Sequence, residues 1–81
     1  IVVCGSGNGI SMASNKIVGI RAALCATLEH AQMSRLHNDA NVLAIGARMT
    51  DYDVITEILD TWLDTEFEGG RHSRRVNKIE V

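Results

Sequence analysis

The sequence predicts an α/β fold, a parallel sheet whose strands alternate with helices. Three runs rich in β-branched or apolar residues, Ile1–Cys4, Ile20–Cys25 and Val42–Gly46, have the length and composition of strands. Segments of helical character fill the gaps between them and follow the last. The second and third runs are nearly continuous in apolar side chains, as expected of strands covered on both faces. Alternation over short links makes right-handed βαβ units, and ligands of such sheets sit beyond the carboxyl ends of the strands.

The first strand gives way to a glycine-rich loop, CGSGNG, at Cys4–Gly9, and Ile10–Lys16 then reads as one or two helical turns. Thr27–Leu36 reads as a helix with Thr27 as its N-cap. After Thr50 the pattern is clearer. Ile55, Ile58, Leu59, Trp62 and Leu63 recur with the spacing of one helix face. Asp51 and Asp53 fall in its first turn, where the helix dipole favours acids, and Glu68-Gly69-Gly70 is the expected stop. A last helix is expected from about Arg71 to Val81, with Arg71 and Arg75 on one face. The carboxyl-end rule then predicts that Cys4–Gly9, the His37–Asn41 stretch and the turn around Arg48 share one rim.

Composition narrows the function classes. The chain has 81 residues, a net charge of -2 and 46% hydrophobic residues, which is globular rather than disordered or membrane composition. No apolar run approaches the ~20 residues of a spanning helix, and no secretory signal is visible. Ile1 already lies inside a strand and no Met precedes it, so the chain is expected to be the C-terminal part of one longer domain. Cys4 and Cys25 are too few for a disulfide framework or a zinc site; a small buried hydrophobe is the plain reading of each. Seven acids and no base lie between Asp51 and Glu68, the mark of a solvated helix face. Arg71, Arg74, Arg75 and Lys78 against the single acid Glu80 make a cationic end, suited to an anionic ligand or an acidic partner surface. Nucleic acid is disfavoured: the chain is not basic, and Tyr52, Trp62 and Phe67 are its only aromatics.

A glycine-rich turn feeding a helix presents backbone N–H groups to an anion. The Walker pattern, the dinucleotide fingerprint and the esterase elbow are all absent from this loop. Cys4 adds chemistry to what remains. A thiol beside amides and a helix start has a lowered pKa, and the same amides stabilise negative charge growing on a substrate oxygen. Thiolate base and oxyanion-binding loop would suit proton abstraction next to a carbonyl; a buried Cys above a tight turn is the alternative. His37, Asn38 and Asn41 fit a turn for local reasons alone, His30 and His72 carry only a structural reading, and Arg48 follows a strand end.

Together these stretches, CGSGNGISMASNK, GIRAAL, SRLHNDANVLAIGAR and EFEGGRHSRR, resemble the ribose-5-phosphate isomerase B family, which groups with the subunits of galactose-6-phosphate isomerase. The resemblance implies a flavodoxin-like (Rossmann-like) three-layer α/β/α sandwich with a five-stranded parallel sheet, of which this chain would hold the last three strands and the C-terminal helix. It implies interconversion of ribose 5-phosphate and ribulose 5-phosphate without metal or organic cofactor, in the cytoplasm. Cys4 matches the base that moves a proton between C2 and C1 through an enediolate. Gly5, Ser6, Gly7, Asn8 and Gly9 match the loop that holds that anion, with Ser6 counted in the catalytic group. His37 matches the histidine that opens the sugar ring and Asn38 its hydroxyl-binding neighbour. Arg48, Arg71 and Arg75 match the phosphate-gripping arginines; Arg74 falls where the family varies. Sites shared between subunits of a homodimer or homotetramer are implied, with neither nucleic acid nor membrane as a partner.

One departure accompanies the resemblance. The family's first strand carries an Asp-His pair that this sequence lacks. That strand would lie beside Ile1–Cys4 at the switch point, so the chain alone is expected to expose a hydrophobic edge, to be poorly soluble and to be inactive. A six-carbon aldose phosphate (galactose or allose 6-phosphate) is an alternative substrate, and a non-catalytic phosphate-binding module an alternative role.

Overall fold

The computed structural model describes residues 1–80. In chain order they form β1 (Val2–Cys4), α1 (Asn8–Ser14), β2 (Ala22–Leu24), α2 (Leu28–Leu36), β3 (Val42–Gly46), α3 (Tyr52–Asp64) and α4 (His72–Ile79). All pairing is parallel: Val2–Cys4 run beside Ala44–Gly46, and Ala22–Leu24 beside Val42–Ala44. The chain steps from β1 out to β2 and back to β3, so right-handed crossovers put α1 on one face of the sheet and α2 on the other. Helix α3 packs against α2. The parallel α/β/α sandwich expected from the sequence is present.

Within that class the strand order is β1-β3-β2, whereas the flavodoxin succession would put β2 in the middle. Burial explains the difference. Leu43, Ala44, Ile45 and Gly46 are all buried, while each residue of β2 is only half-buried. The longest continuous apolar run takes the centre, where both edges and both faces are covered.

Strand β2 is shorter than Ile20–Cys25 because side-chain amides claim the backbone at its start. Asn41 Oδ1 accepts from the Arg21 N–H (2.8 Å), and Asn41 Nδ2 donates to the Gly19 carbonyl (2.8 Å). Asn15 likewise takes both the N–H and the carbonyl of Ala22 (2.7 and 3.0 Å). Thr27 caps α2 as expected, its hydroxyl accepting from the His30 N–H at 3.1 Å. Helix α3 stops at Asp64, before Glu68-Gly69-Gly70: Thr65 turns extended (φ -100°, ψ 125°), and the Glu68 N–H bonds to the Leu36 carbonyl at 3.1 Å. That bond draws the segment after α3 across the end of α2. Leu63 is 62% exposed, so the buried stripe of α3 consists of Val54, Ile55, Ile58, Leu59 and Trp62. Helix α4 begins one residue after Arg71; its expected end at Val81 lies outside the described residues.

The core joins Leu43 and Ile45 of β3 to Ile58 and Trp62 of α3, with Ala31 of α2 and, from the connecting segments, Cys25 and Ala40. The guanidinium of Arg35 lies 4.5 Å from the Trp62 ring centroid, a cation–π lid on the core. Cys25 is buried (1% exposed), and burial pushes its thiol pKa up against the opposing hydrogen bond with Ser34. Strand β1 pairs with β3 on one edge and with no other strand among the described residues, and Ile1 and Val3 beside that open edge are exposed. No helix among the described residues is long and apolar enough to cross a membrane.

Candidate functional site

The glycine loop leaves β1 at Cys4 and folds back onto the end of β3. The Ala47 N–H donates to the Cys4 carbonyl (2.8 Å) and the Arg48 N–H to the Gly5 carbonyl (2.9 Å). Two glycines make this approach possible. At Gly46 a Cβ would stand 2.3 Å from the Ser6 carbonyl oxygen; at Gly7, where φ is +83°, it would meet Leu24 Cδ1 at 2.4 Å and Gly46 N at 2.9 Å. A side chain at either position would lift the loop off the strand.

Held this way, the loop turns its amides toward the thiol. The Gly7 N–H donates to Cys4 Sγ at 3.2 Å. The thiol pKa is lowered from its ordinary value, first by the Ile10 amide and then by those of Gly7, Ser6 and Gly9, while partial burial works in the other direction. Charge on the sulfur is thus favoured by backbone dipoles rather than by a neighbouring cation. Ser6 is exposed, its hydroxyl accepting from the Asn8 N–H (3.2 Å), and Gly9 has open space where a side chain would stand. Arg48 lies along the loop: its Cδ and Nη1 are 3.5 and 3.7 Å from the position of a Gly5 Cβ. Cys4, Gly5, Ser6, Gly7, Asn8, Gly9 and Arg48 therefore form one group at the carboxyl rim of the sheet.

The expected third member of that rim is elsewhere. His37 caps the C-terminal end of α2, and residues 37–41 lead into the start of β3, where the Asn41 N–H bonds to the Arg21 carbonyl at 3.0 Å. This is the amino rim, the length of β3 away from Cys4, roughly 13 Å at 3.3 Å per residue. A helix crossing back between parallel strands must deliver its C-terminus to the end where the next strand begins, so His37 and Asn38 precede their strand whereas Cys4 and Arg48 follow theirs. Helix α3 also ends at the amino rim, and α4 starts there. Arg71 and Arg75, both exposed, therefore accompany His37 rather than the thiol.

His72, given only a structural reading from sequence, lies against His37. The two rings stack with centroids 4.2 Å apart and planes 19° from parallel. His72 is 4% exposed, and among the described residues its Nε2 has no hydrogen-bond partner, with the Glu68 carboxylate 3.8 Å away. Burial lowers the His72 pKa below 6.5, helped by His37, Arg71 and Arg75 and opposed by Glu68. The signal for its burial was present in sequence: His72 and Val76, four apart, form the inner face of α4. His37, Glu68 and His72 also bring ligand-capable atoms within 4.8 Å of one another. Stacked rings turn their faces to each other, and in-plane nitrogen lone pairs then do not converge as a tetrahedral zinc site requires.

A cleft of about 500 Å³ lies on the amino side, along Asn15–Ala23 and beneath Ile79 and Glu80. Of the residues singled out from sequence it touches Asn38 and none of the thiol loop. In the loop itself Ser6, Asn8 and Gly9 are exposed.

Comparison with known proteins places this geometry. The family profile described as Ribose/Galactose Isomerase matches residues 1–79. The chain belongs to that family. Ribose-5-phosphate isomerase B of Escherichia coli is 51% identical over 79 residues, 98% of this chain and 53% of the relative. D-erythrulose-4-phosphate isomerase of Pectobacterium atrosepticum is 46% identical over 98% of this chain and 52% of its own length. Among solved structures, Clostridium thermocellum ribose-5-phosphate isomerase B superposes with a TM-score of 0.95 at 55% identity, over 98% of this chain and 54% of that one. This member of the ribose/galactose isomerase family thus spans about half the length of the curated relatives it matches.

Proposed function

We propose that this chain is the C-terminal part of a sugar-phosphate aldose–ketose isomerase domain, and that ribose 5-phosphate is its substrate. The observation that carries the reading is the cluster of four backbone amides, of Ile10, Gly7, Ser6 and Gly9, lowering the pKa of the Cys4 thiol beside the Arg48 side chain. With the sugar ring open, the Cys4 thiolate takes the proton from C2 and the electron pair passes into the carbonyl, giving an enediolate. The loop amides stabilise its oxygen. The proton on O2 passes to O1, the Cys4 thiol returns its proton to C1 as the C2 carbonyl forms, and the ketose and the thiolate result. Arginine forks match phosphate, and holding the phosphate keeps the reacting carbons against the sulfur.

The two rims support a site shared between subunits. One copy offers the thiol loop and Arg48; the other rim offers His37 and Asn38, for ring opening and hydroxyl binding, and Arg71 and Arg75 for phosphate. A two-fold dimer that sets the carboxyl rim of each copy against the amino rim of the other completes two sites. The open edge of β1 is where the domain's remaining strands would pair. The four-carbon substrate in the name of the 46% identical Pectobacterium relative favours a second reading for the substrate alone: a sugar phosphate of another length on the same machinery.

In the full-length protein, Cys4→Ala is expected to lower turnover of ribose 5-phosphate by about 10³-fold or more, with phosphate-competitive binding kept. Undiminished exchange of the C2 hydrogen with solvent in that variant would overturn the assignment of the base.

A further inference from the structure

Arg21 directly precedes β2, and its side-chain contacts converge on the amino rim. Its backbone is pinned to the entrance of β3: the N–H donates to Asn41 Oδ1 (2.8 Å), and the carbonyl accepts from the Asn41 and Val42 N–H groups (3.0 and 3.3 Å). Its side chain is only 18% exposed, and the guanidinium reaches two separate elements. Nε donates to the Asp39 carbonyl (2.8 Å) and Nη2 to the Asp39 carboxylate (3.4 Å), while Nη1 donates to the Glu80 carboxylate.

The two destinations matter. Asp39 directly follows His37 and Asn38 and sits at φ 49°, a left-handed conformation that Asp tolerates better than most residues. Glu80 is the C-cap of α4, the helix that follows Arg71 and carries Arg75. At its other end α4 is fixed by the stack of His72 on His37. The helix is therefore held at two points, and Arg71 and Arg75 lie toward the His72 end of the span.

We propose that Arg21 is a positioning residue for the amino-rim half of the site, its single guanidinium locking the His37–Asn38 loop and the arginine-bearing helix into one arrangement. The inference rests on the function proposed above. A planar fork with several donors can serve Asp39 and Glu80 together; a lysine ammonium on a flexible stem cannot reproduce that geometry. The two ties separate two effects. Loss of the Glu80 tie loosens the phosphate-binding arginines, and loss of the Asp39 tie loosens the ring-opening pair.

The test uses the full-length protein and the variants Arg21→Lys, Asp39→Asn and Glu80→Gln. Glu80→Gln is expected to raise KM for ribose 5-phosphate and the inhibition constant of inorganic phosphate about threefold to tenfold, with kcat nearly kept. Asp39→Asn lowers kcat with little change in phosphate inhibition. Arg21→Lys does both, and adding Glu80→Gln to it raises the phosphate inhibition constant no further. A purely structural role would instead lower melting temperature and active fraction while leaving KM and phosphate inhibition unchanged, and that result overturns the proposal, as does additivity of the two substitutions. Amide hydrogen exchange keeps the proposal separate from the functional reading. If the wild-type protein turns over no sugar phosphate, faster exchange in Arg21→Lys at both residues 39–41 and the end of α4 still supports the clamp, and unchanged exchange at either place overturns it.

Discussion

The two rims of this sheet are built from different materials. The carboxyl rim is built from backbone. The Gly7 amide donates to the sulfur, neighbouring loop amides lower the thiol pKa with it, and the loop can press onto β3 because Gly7 and Gly46 have no side chains. The amino rim is built from side chains brought together from distant positions: His37 on His72, and Arg21 between Asp39 and Glu80. A backbone site is fixed by a few consecutive residues, so its failures are steric and abrupt. A side-chain site is held by pairwise contacts, so its failures are graded and depend on pH.

The largest effect expected from that contrast is at Gly7. In the full-length protein, Gly7→Ala meets a Cβ contact of 2.4 Å and a positive φ, and it displaces the amide that donates to Cys4. Turnover is expected to fall about 10²-fold or more, the scale of losing one oxyanion donor. The rate of Cys4 alkylation against pH reports the cause. In the parent its midpoint lies below 9.0, because the loop amides lower the thiol pKa. Alkylation is full above that midpoint and is lost as pH falls through it. In Gly7→Ala the midpoint moves up. An unmoved midpoint would mean that the amides do not tune the sulfur.

A smaller effect is expected at Arg48, a side-chain cation placed on the backbone rim. Arg48→Met removes a charged fork without touching the loop's hydrogen bonds, which use the Arg48 N–H. KM for the sugar phosphate is expected to rise about tenfold, with the alkylation midpoint nearly unchanged. A rise in kcat loss equal to the KM effect would place Arg48 in the chemistry rather than in binding.

The smallest and most gradual effect belongs to the amino rim. The His72 pKa is lowered below 6.5 by burial, with His37, Arg71 and Arg75 adding to the shift and Glu68 opposing it. The unfolded chain therefore binds a proton before the folded one does. The docking contribution of the neutral ring is complete above pH 6.5 and is lost as pH falls through the lowered folded-state value. Amide exchange along α4 should quicken on acidification, and His72→Phe should remove that pH dependence while keeping the ring stack. Persistence of the dependence in His72→Phe would assign it to another group.

The same contrast explains what could be read from the sequence. β3 was legible to the residue because Val42–Gly46 is a continuous apolar run bounded by a turn, and the thiol loop because its glycines are consecutive in sequence. The strand order was not, since sequential succession gives no account of which strand is most buried. Nor was the division into two rims: the carboxyl-end rule covers loops that follow strands, and His37 and Asn38 precede one. Leu63 fits the apolar spacing of α3, yet it is exposed, one residue before the helix ends at Asp64. Glu80 could not be joined to Arg21 from a pattern, because the 59 residues between them carry no periodicity that links the two.

The claim at the centre is that one copy's sulfur works with another copy's histidine. Mixing separately inactive Cys4→Ala and His37→Ala subunits of the full-length protein, then letting them exchange, tests it directly. Each mixed dimer pairs both substitutions in one site and leaves the other intact, so random exchange should restore about a quarter of wild-type activity. If both residues belong to the same copy's site, no activity returns however long the subunits exchange.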